Sequence, residues 1–146
     1  MSNFSITSSD FKEGEEIPKK FGYKHGNEKP ELDFVPGETE SFPWAMIMDD
    51  PDAMAAVGKV WVHWLEYTEN LEQDYPHSDR LHGKTDFGEI GYGGPAPPNG
   101  RHTYIFKGYT LDSKLNLKEG YSKQELEDAM KGHIIAEAKL TGTYTP

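Results

Sequence analysis

The chain has 146 residues, no cysteine and a formal charge of −10, from 15 Lys and Arg against 25 Asp and Glu. One domain with one sizeable core is expected at this length. The charge argues against bulk nucleic-acid binding and against adhesion to anionic membranes, both of which need a basic surface, and the missing thiols exclude disulfides, thiolate nucleophiles and cysteine-based zinc sites.

The 15 glycines and 10 prolines imply many turns and favour a loop-rich β or α+β protein over a helical bundle. The first 16 residues lack the basic and apolar regions of a signal peptide. No apolar run reaches the length of a membrane span. A cytoplasmic location without stable membrane insertion is therefore expected.

Residues 1–40 are polar and rich in turn formers, with a turn expected around Gly37. FPWAMIM follows, with Phe42, Trp44, Met46 and Met48 on one face and Ala45 and Ile47 on the other. This predicts a strand apolar on both faces, with Pro43 at its start or on a sheet edge. Asp49-Asp50-Pro51-Asp52 reads as an acidic turn leading to a short loop. KVWVHWLEY is the next strand, with Trp61, His63 and Leu65 facing one way and Val60, Val62 and Trp64 the other. Two apolar faces again predict an interior strand.

Residues 66–100 show little regular pattern and read as a long functional loop, ending in GYGGPAPPNG. RHTYIFKGYTLD then forms a strand with His102, Tyr104 and Phe106 on one face and Thr103, Ile105 and Lys107 on the other. Ser122 and Glu125 fit a capping box, so a helix of two to three turns is expected, stopped by Gly132. IIAEAKL forms the last strand, with Ile134, Ala136, Ala138 and Leu140 as its apolar face and Glu137 and Lys139 outward.

Chemistry concentrates in two inward-looking histidines, His63 and His102, each close to an unusual loop. Asp50 and Asp52 lie at the end of the preceding strand, and Gly93, Gly94 and Pro98 lead into the His102 strand. If these parts converge, they suit a small anion. An imidazole beside a carboxylate has its charged form favoured. Free N–H groups of a Gly-rich turn can cradle phosphate oxygens. Tyr104 adds a hydroxyl and Trp61 an apolar rim. The plain alternatives are core histidines in apolar strands, an ordinary Asp-Pro-Asp turn and a rigid Gly/Pro connector.

The segments DDPDAM, WVHWL and TDFGEIGYGGPAPPNGRHTYIF, in this order and spacing, resemble the phosphatidylethanolamine-binding protein family, also called the Raf kinase inhibitor protein family, in its short bacterial and archaeal form. The resemblance covers nearly the whole chain. It implies an antiparallel Greek-key β-sandwich with a few short helices, and a pocket for phosphate-like anions and phosphoethanolamine head groups. By motif, the implied ligand-binding residues are Asp50, Asp52, Trp61, His63, Gly94, Pro98, His102 and Tyr104. Two departures stand out. Met54 replaces a proline that is typically cis in the family, so a trans Ala53–Met54 bond is expected. Thr103 replaces an arginine and is expected to point away from the ligand.

The function so implied is that of an anion-binding regulatory or inhibitory module, not an enzyme. Its ligand would be a phosphorylated small molecule or phospholipid head group, its protein partner a kinase or protease, and no cofactor is called for. The alternatives are an acid–base hydrolase using His63, His102 and Asp50 or Asp52, and a metal protein with two histidines and a carboxylate. No G-x-S-x-G or other nucleophile motif supports the hydrolase, and no helical H-x-x-x-H supports the metal.

Overall fold

The computed structural model describes residues 4–35, 43–69 and 80–146. Among these residues, seven strands form two antiparallel sheets. Strands β1 (Ser5–Thr7) and β2 (Asp33–Val35) pair with each other. The larger sheet holds β3 (Trp44–Asp50), β4 (Trp61–Thr68), β5 (Leu81–His82), β6 (His102–Leu111) and β7 (Ile134–Tyr144), in the order β5-β4-β3-β6-β7. β6 returns past β5 and β4 to lie beside β3, which is the Greek-key order. The mostly-β character read from the residues, and the Greek-key sandwich implied by the family resemblance, are the architecture found.

Every residue of β3 is buried, because both faces of the larger sheet are covered. Trp44, Met46 and Met48 pack with Ile6, Phe11 and Phe21 of the N-terminal layer. Ala45 and Ile47 pack on the other side with Leu115, Tyr121 and Leu126. A central strand covered twice reads as a continuous apolar run. Pro43 precedes β3, as its missing N–H requires, and its carbonyl accepts from Leu111 N–H at 2.8 Å. Phe42 and the turn at Gly37 lie outside the described residues.

The helix α2 (Lys123–Met130) begins where the capping box places it. Ser122 Oγ accepts from Glu125 N–H and Glu125 Oε1 accepts from Ser122 N–H, both at 3.0 Å. Gly132 follows with a φ of +82°, a left-handed conformation that stops the helix. The segment read as a short loop after Asp52 contains a one-turn helix, α1 (Ala53–Val57), built from good helix formers and closed by Gly58.

Three readings of the strands need correction. Asp49 and Asp50 are not in a turn: they are the last residues of β3, and both are buried. In β4, Met48 pairs with Trp64 but Asp49 pairs with Val62, so His63 is an extra residue in a β-bulge. Alternation is thereby broken. Leu65 joins Val62 on the α2 side, whereas Trp64 joins the N-terminal core on the side of His63. In β7, a second bulge sets Ile134 opposite Leu111 and Ala136 opposite Thr110. Ile134 is 41% exposed, and the buried face of β7 begins further along, at Leu140. Of the segment read as a long loop, residues 66–68 complete β4 and Leu81–His82 form β5; residues 70–79 lie outside the description.

Candidate functional site

The two histidine strands are not neighbours, since β3 runs between them. Both are antiparallel to β3. The start of β4, the end of β3 and the start of β6 therefore meet at one end of the sheet. There Asp50, His63 and His102 line a cavity of about 160 Å³. Trp61 and Pro98 also line it, together with Phe87 and Ala96 from the loop and Ala53, Ala56 and Val57 from α1.

Each imidazole is fixed through Nδ1. His63 Nδ1–H donates to the Gly93 carbonyl at 2.7 Å, and Gly93 N–H returns a bond to the His63 carbonyl at 2.8 Å. His102 Nδ1–H donates to Asp50 Oδ2 at 2.6 Å. The other Asp50 oxygen accepts from Asp52 N–H at 2.9 Å. Each ring thus has its Nε2 left for the cavity, because the partner of one ring nitrogen sets the role of the other.

Electrostatically the site differs from the expected pair of charged donors. His63 is 2% exposed, and burial lowers its pKa from the usual histidine value. The Gly93 carbonyl and the Asp50 carboxylate offset this only in part. His63 is therefore neutral at pH 7, a hydrogen-bond acceptor at Nε2 until a proton arrives. No Lys or Arg among the described residues lines the cavity.

Asp52, Gly94 and Tyr104 are not in the lining. Asp52 is exposed, and its Oδ2 accepts from Thr103 N–H at 2.8 Å, which ties α1 to the start of β6. Gly94 N–H donates to Asn27 Oδ1 at 2.7 Å. With Gly93 N–H also engaged, neither amide is free to cradle an anion as expected. What Gly94 supplies is closeness: a Cβ there would sit 1.9 Å from the Phe21 carbonyl oxygen. Tyr104 lies beneath the floor, its ring 5.2 Å from that of His63 and 6.4 Å from that of His102. Among the described residues its buried hydroxyl has no hydrogen-bond partner; Asp50 and the Ala96 amide lie near without meeting it in bonding geometry. Burial first, and Asp50 with it, push the Tyr104 pKa up, so the hydroxyl stays protonated. Trp61 Nε1 is likewise buried and unpartnered.

Phe87 was not singled out in the sequence. Its turn is clamped to β4, since Asp86 N–H donates to the Val62 carbonyl at 3.0 Å and Asp86 Oδ2 accepts from Val62 N–H at 2.7 Å. The Phe87 ring then stands edge-on to Trp61 and His63 and stacks on Tyr23 at 4.0 Å. The turn residues Thr85-Asp86-Phe87-Gly88 were the available signal. Met54, by contrast, is 53% exposed and outside the lining, and the Ala53–Met54 bond is trans. No group of three or more His, Asp or Glu side chains among the described residues is placed to hold a metal ion.

A family model for phosphatidylethanolamine-binding proteins matches residues 7–145. The chain belongs to the phosphatidylethanolamine-binding protein family. It is 41% identical to a UPF0098 protein of Methanothermobacter thermautotrophicus, over 96% of this chain and 97% of that protein. Among solved structures it is similar to CT736 of Chlamydia trachomatis, described as a putative phosphatidylethanolamine-binding protein homologue. That match has a TM-score of 0.83 and 35% identity and covers 98% and 97% of the two chains. It is also similar to E. coli YbcL, a further member of the family, with a TM-score of 0.84 and 27% identity over 98% of each chain. No helix among the described residues is long and apolar enough to cross a membrane.

Proposed function

We propose that the cavity binds a small phosphoryl-type anion, either a phosphorylated small molecule or a phospholipid head group, without turning it over. The observation that carries this reading is the pair of Nε2 atoms, on His63 and His102, left for one small cavity by the Nδ1 bonds to Gly93 and Asp50. A dianion there recruits a proton to His63, converting an acceptor into a charge-assisted donor. An ammonium group attached to the phosphate would meet Asp50 and the faces of Trp61 and Phe87. Among the described residues the lining offers no hydroxyl or thiol nucleophile, which favours binding over turnover. A regulatory role, with occupancy of the cavity altering the fit of a kinase or protease, is the biological form of this proposal.

The test is an NMR titration with inorganic phosphate and O-phosphoethanolamine, following the ring signals of both histidines. Joint, saturable shifts are expected, lost in His63→Ala while that variant stays folded. Silent rings, or unchanged affinity in the variant, would overturn the assignment.

One observation favours a hydrolase as a second reading. The 2.6 Å bond from His102 Nδ1 to Asp50 orients a general base toward the cavity, where it could activate a water molecule. Steady turnover of a phosphoester panel, abolished by His102→Ala, would support it; no turnover across the panel would remove it.

A further inference from the structure

The loop that walls the cavity ends in Pro98-Asn99-Gly100. Pro98 lines the cavity, and His102, two residues beyond Gly100, supplies one of its imidazoles. Pro98, Asn99 and Gly100 are all exposed. Among the described residues, no hydrogen bond engages the Asn99 side chain or the Gly100 N–H. A Cβ built on Gly100 would meet nothing within 4 Å. The side-chain amide of Asn99 and the backbone nitrogen that follows it are therefore uncommitted and unshielded, with open space around them.

No other asparagine of the chain has this setting. Asn3, Asn27, Asn70 and Asn116 precede Phe4, Glu28, Leu71 and Leu117, whose side chains crowd the following backbone nitrogen; glycine has no Cβ to do so. Asn27 is also held from both ends of its amide. Its Oδ1 accepts from Gly94 N–H at 2.7 Å, and its Nδ2 donates to the Tyr92 carbonyl at 3.3 Å.

We propose that Asn99 is a site of spontaneous deamidation, and that the carboxylate it becomes weakens the hold of the cavity on anions; the second half rests on the anion-binding reading above. The Gly100 nitrogen gives up its proton and attacks Asn99 Cγ. A bond forms between them, the bond from Cγ to Nδ2 breaks, and Nδ2 leaves as ammonia with that proton. Water then opens the five-membered ring. Attack at Cγ leaves an aspartate; attack at the main-chain carbonyl leaves an isoaspartate, with one more carbon in the backbone. Water is consumed and ammonia released, and nothing is oxidised or reduced. Either product adds a negative charge. Three residues of chain span at most about 10 Å, so that charge lies close to His102. Arg101, exposed beside it, cancels part of its effect.

The test is intact and peptide mass spectrometry of the full chain, held for weeks at mildly alkaline pH. A gain of about 1 Da, mapped to the peptide that holds Asn99, is expected. Asn99→Gln, which would need a larger ring, should gain no mass there. Sulfate affinity at about 0.01 M ionic strength should fall roughly threefold in the aged protein and in Asn99→Asp. It should stay at the fresh value in Asn99→Gln after the same incubation. At about 0.15 M the difference should shrink below about twofold, as a screened charge requires. An unchanged mass at Asn99 overturns the modification. Equal sulfate affinity in Asn99→Asp and the fresh chain overturns its effect on the cavity. A fresh chain that binds no sulfate defeats the anion-binding reading instead, and the mass gain then decides the modification site by itself.

Discussion

His63 is a neutral imidazole stored in a dry place, and its energetics follow from that. Its folded pKa lies below the unfolded value of about 6.5. Between those two values the unfolded chain holds the extra proton, so stability rises with pH there. The contribution is fully present above about pH 6.5 and is lost as pH falls through the folded pKa. Urea unfolding at pH 7 and pH 5 should therefore show a larger acid loss for the wild type than for His63→Gln. Equal losses would show that burial does not depress this histidine. Ligand binding reverses the sign. If the bound dianion draws a proton onto His63, affinity should tighten as pH falls from 8 to 6, by up to about tenfold per unit where one proton is taken up. Sulfate is the clean probe, because it does not titrate in this range; a flat profile by calorimetry would leave the anion without its donor. Among the apolar residues, Phe87→Ala should weaken binding roughly tenfold through loss of a wall half-buried against His63 and Trp61. Met54→Ala, whose side chain is outside the lining, should leave binding unchanged.

At the scale of elements, the site depends on clamps that never face the cavity. Asp86 ties the Phe87 turn to Val62 by two backbone bonds and pairs with Lys59 at 2.7 Å. The pair with Lys59 is exposed and contributes little; the bond from Val62 N–H is the one that fixes the turn. Asp86→Ala should then lower affinity with a modest stability loss of about 1–2 kcal/mol, and Asp86→Asn should restore much of both. Ser122→Ala, in the capping box of α2, should cost about 1 kcal/mol and leave affinity alone, which serves as the control. The difference between what was legible and what was not has the same origin. The α2 box was readable because both partners lie within four residues. The two-sided burial of β3 was readable because its first five residues, Trp44 to Met48, are all apolar; that of Asp49 and Asp50 was not. The bulge at His63 was not, because an inserted residue changes no residue type and only cross-strand pairing reveals it. That bulge puts His63 and Trp64 on one side and sends Leu65 to the other. The Phe87 wall and the engaged Gly93 and Gly94 amides were hidden likewise, since their partners, Val62, His63 and Asn27, are about 24 to 67 positions away in sequence.

For the whole molecule, topology gathers the site and charge governs access to it. Antiparallel pairing of β4 and β6 with β3 brings Trp61, Asp50 and His102 to one end, although they come from three separate stretches of chain. The same chain carries a formal charge of −10, and among the described residues no Lys or Arg lines the cavity to counter it. On the proposed function, an approaching dianion would meet long-range repulsion and find attraction only at short range, from the imidazole N–H groups. These two components respond differently to salt. The Debye length falls from about 30 Å at 0.01 M to about 8 Å at 0.15 M, which removes the repulsion of distant carboxylates but barely touches a desolvated contact. Affinity for sulfate at pH 7 should thus rise with added potassium chloride, by roughly threefold to tenfold over that range. A site built on surface lysines would show the opposite slope, as counter-ions compete for it. Falling affinity, measured by titration at constant pH, would mean that cationic groups beyond the cavity lining hold the anion.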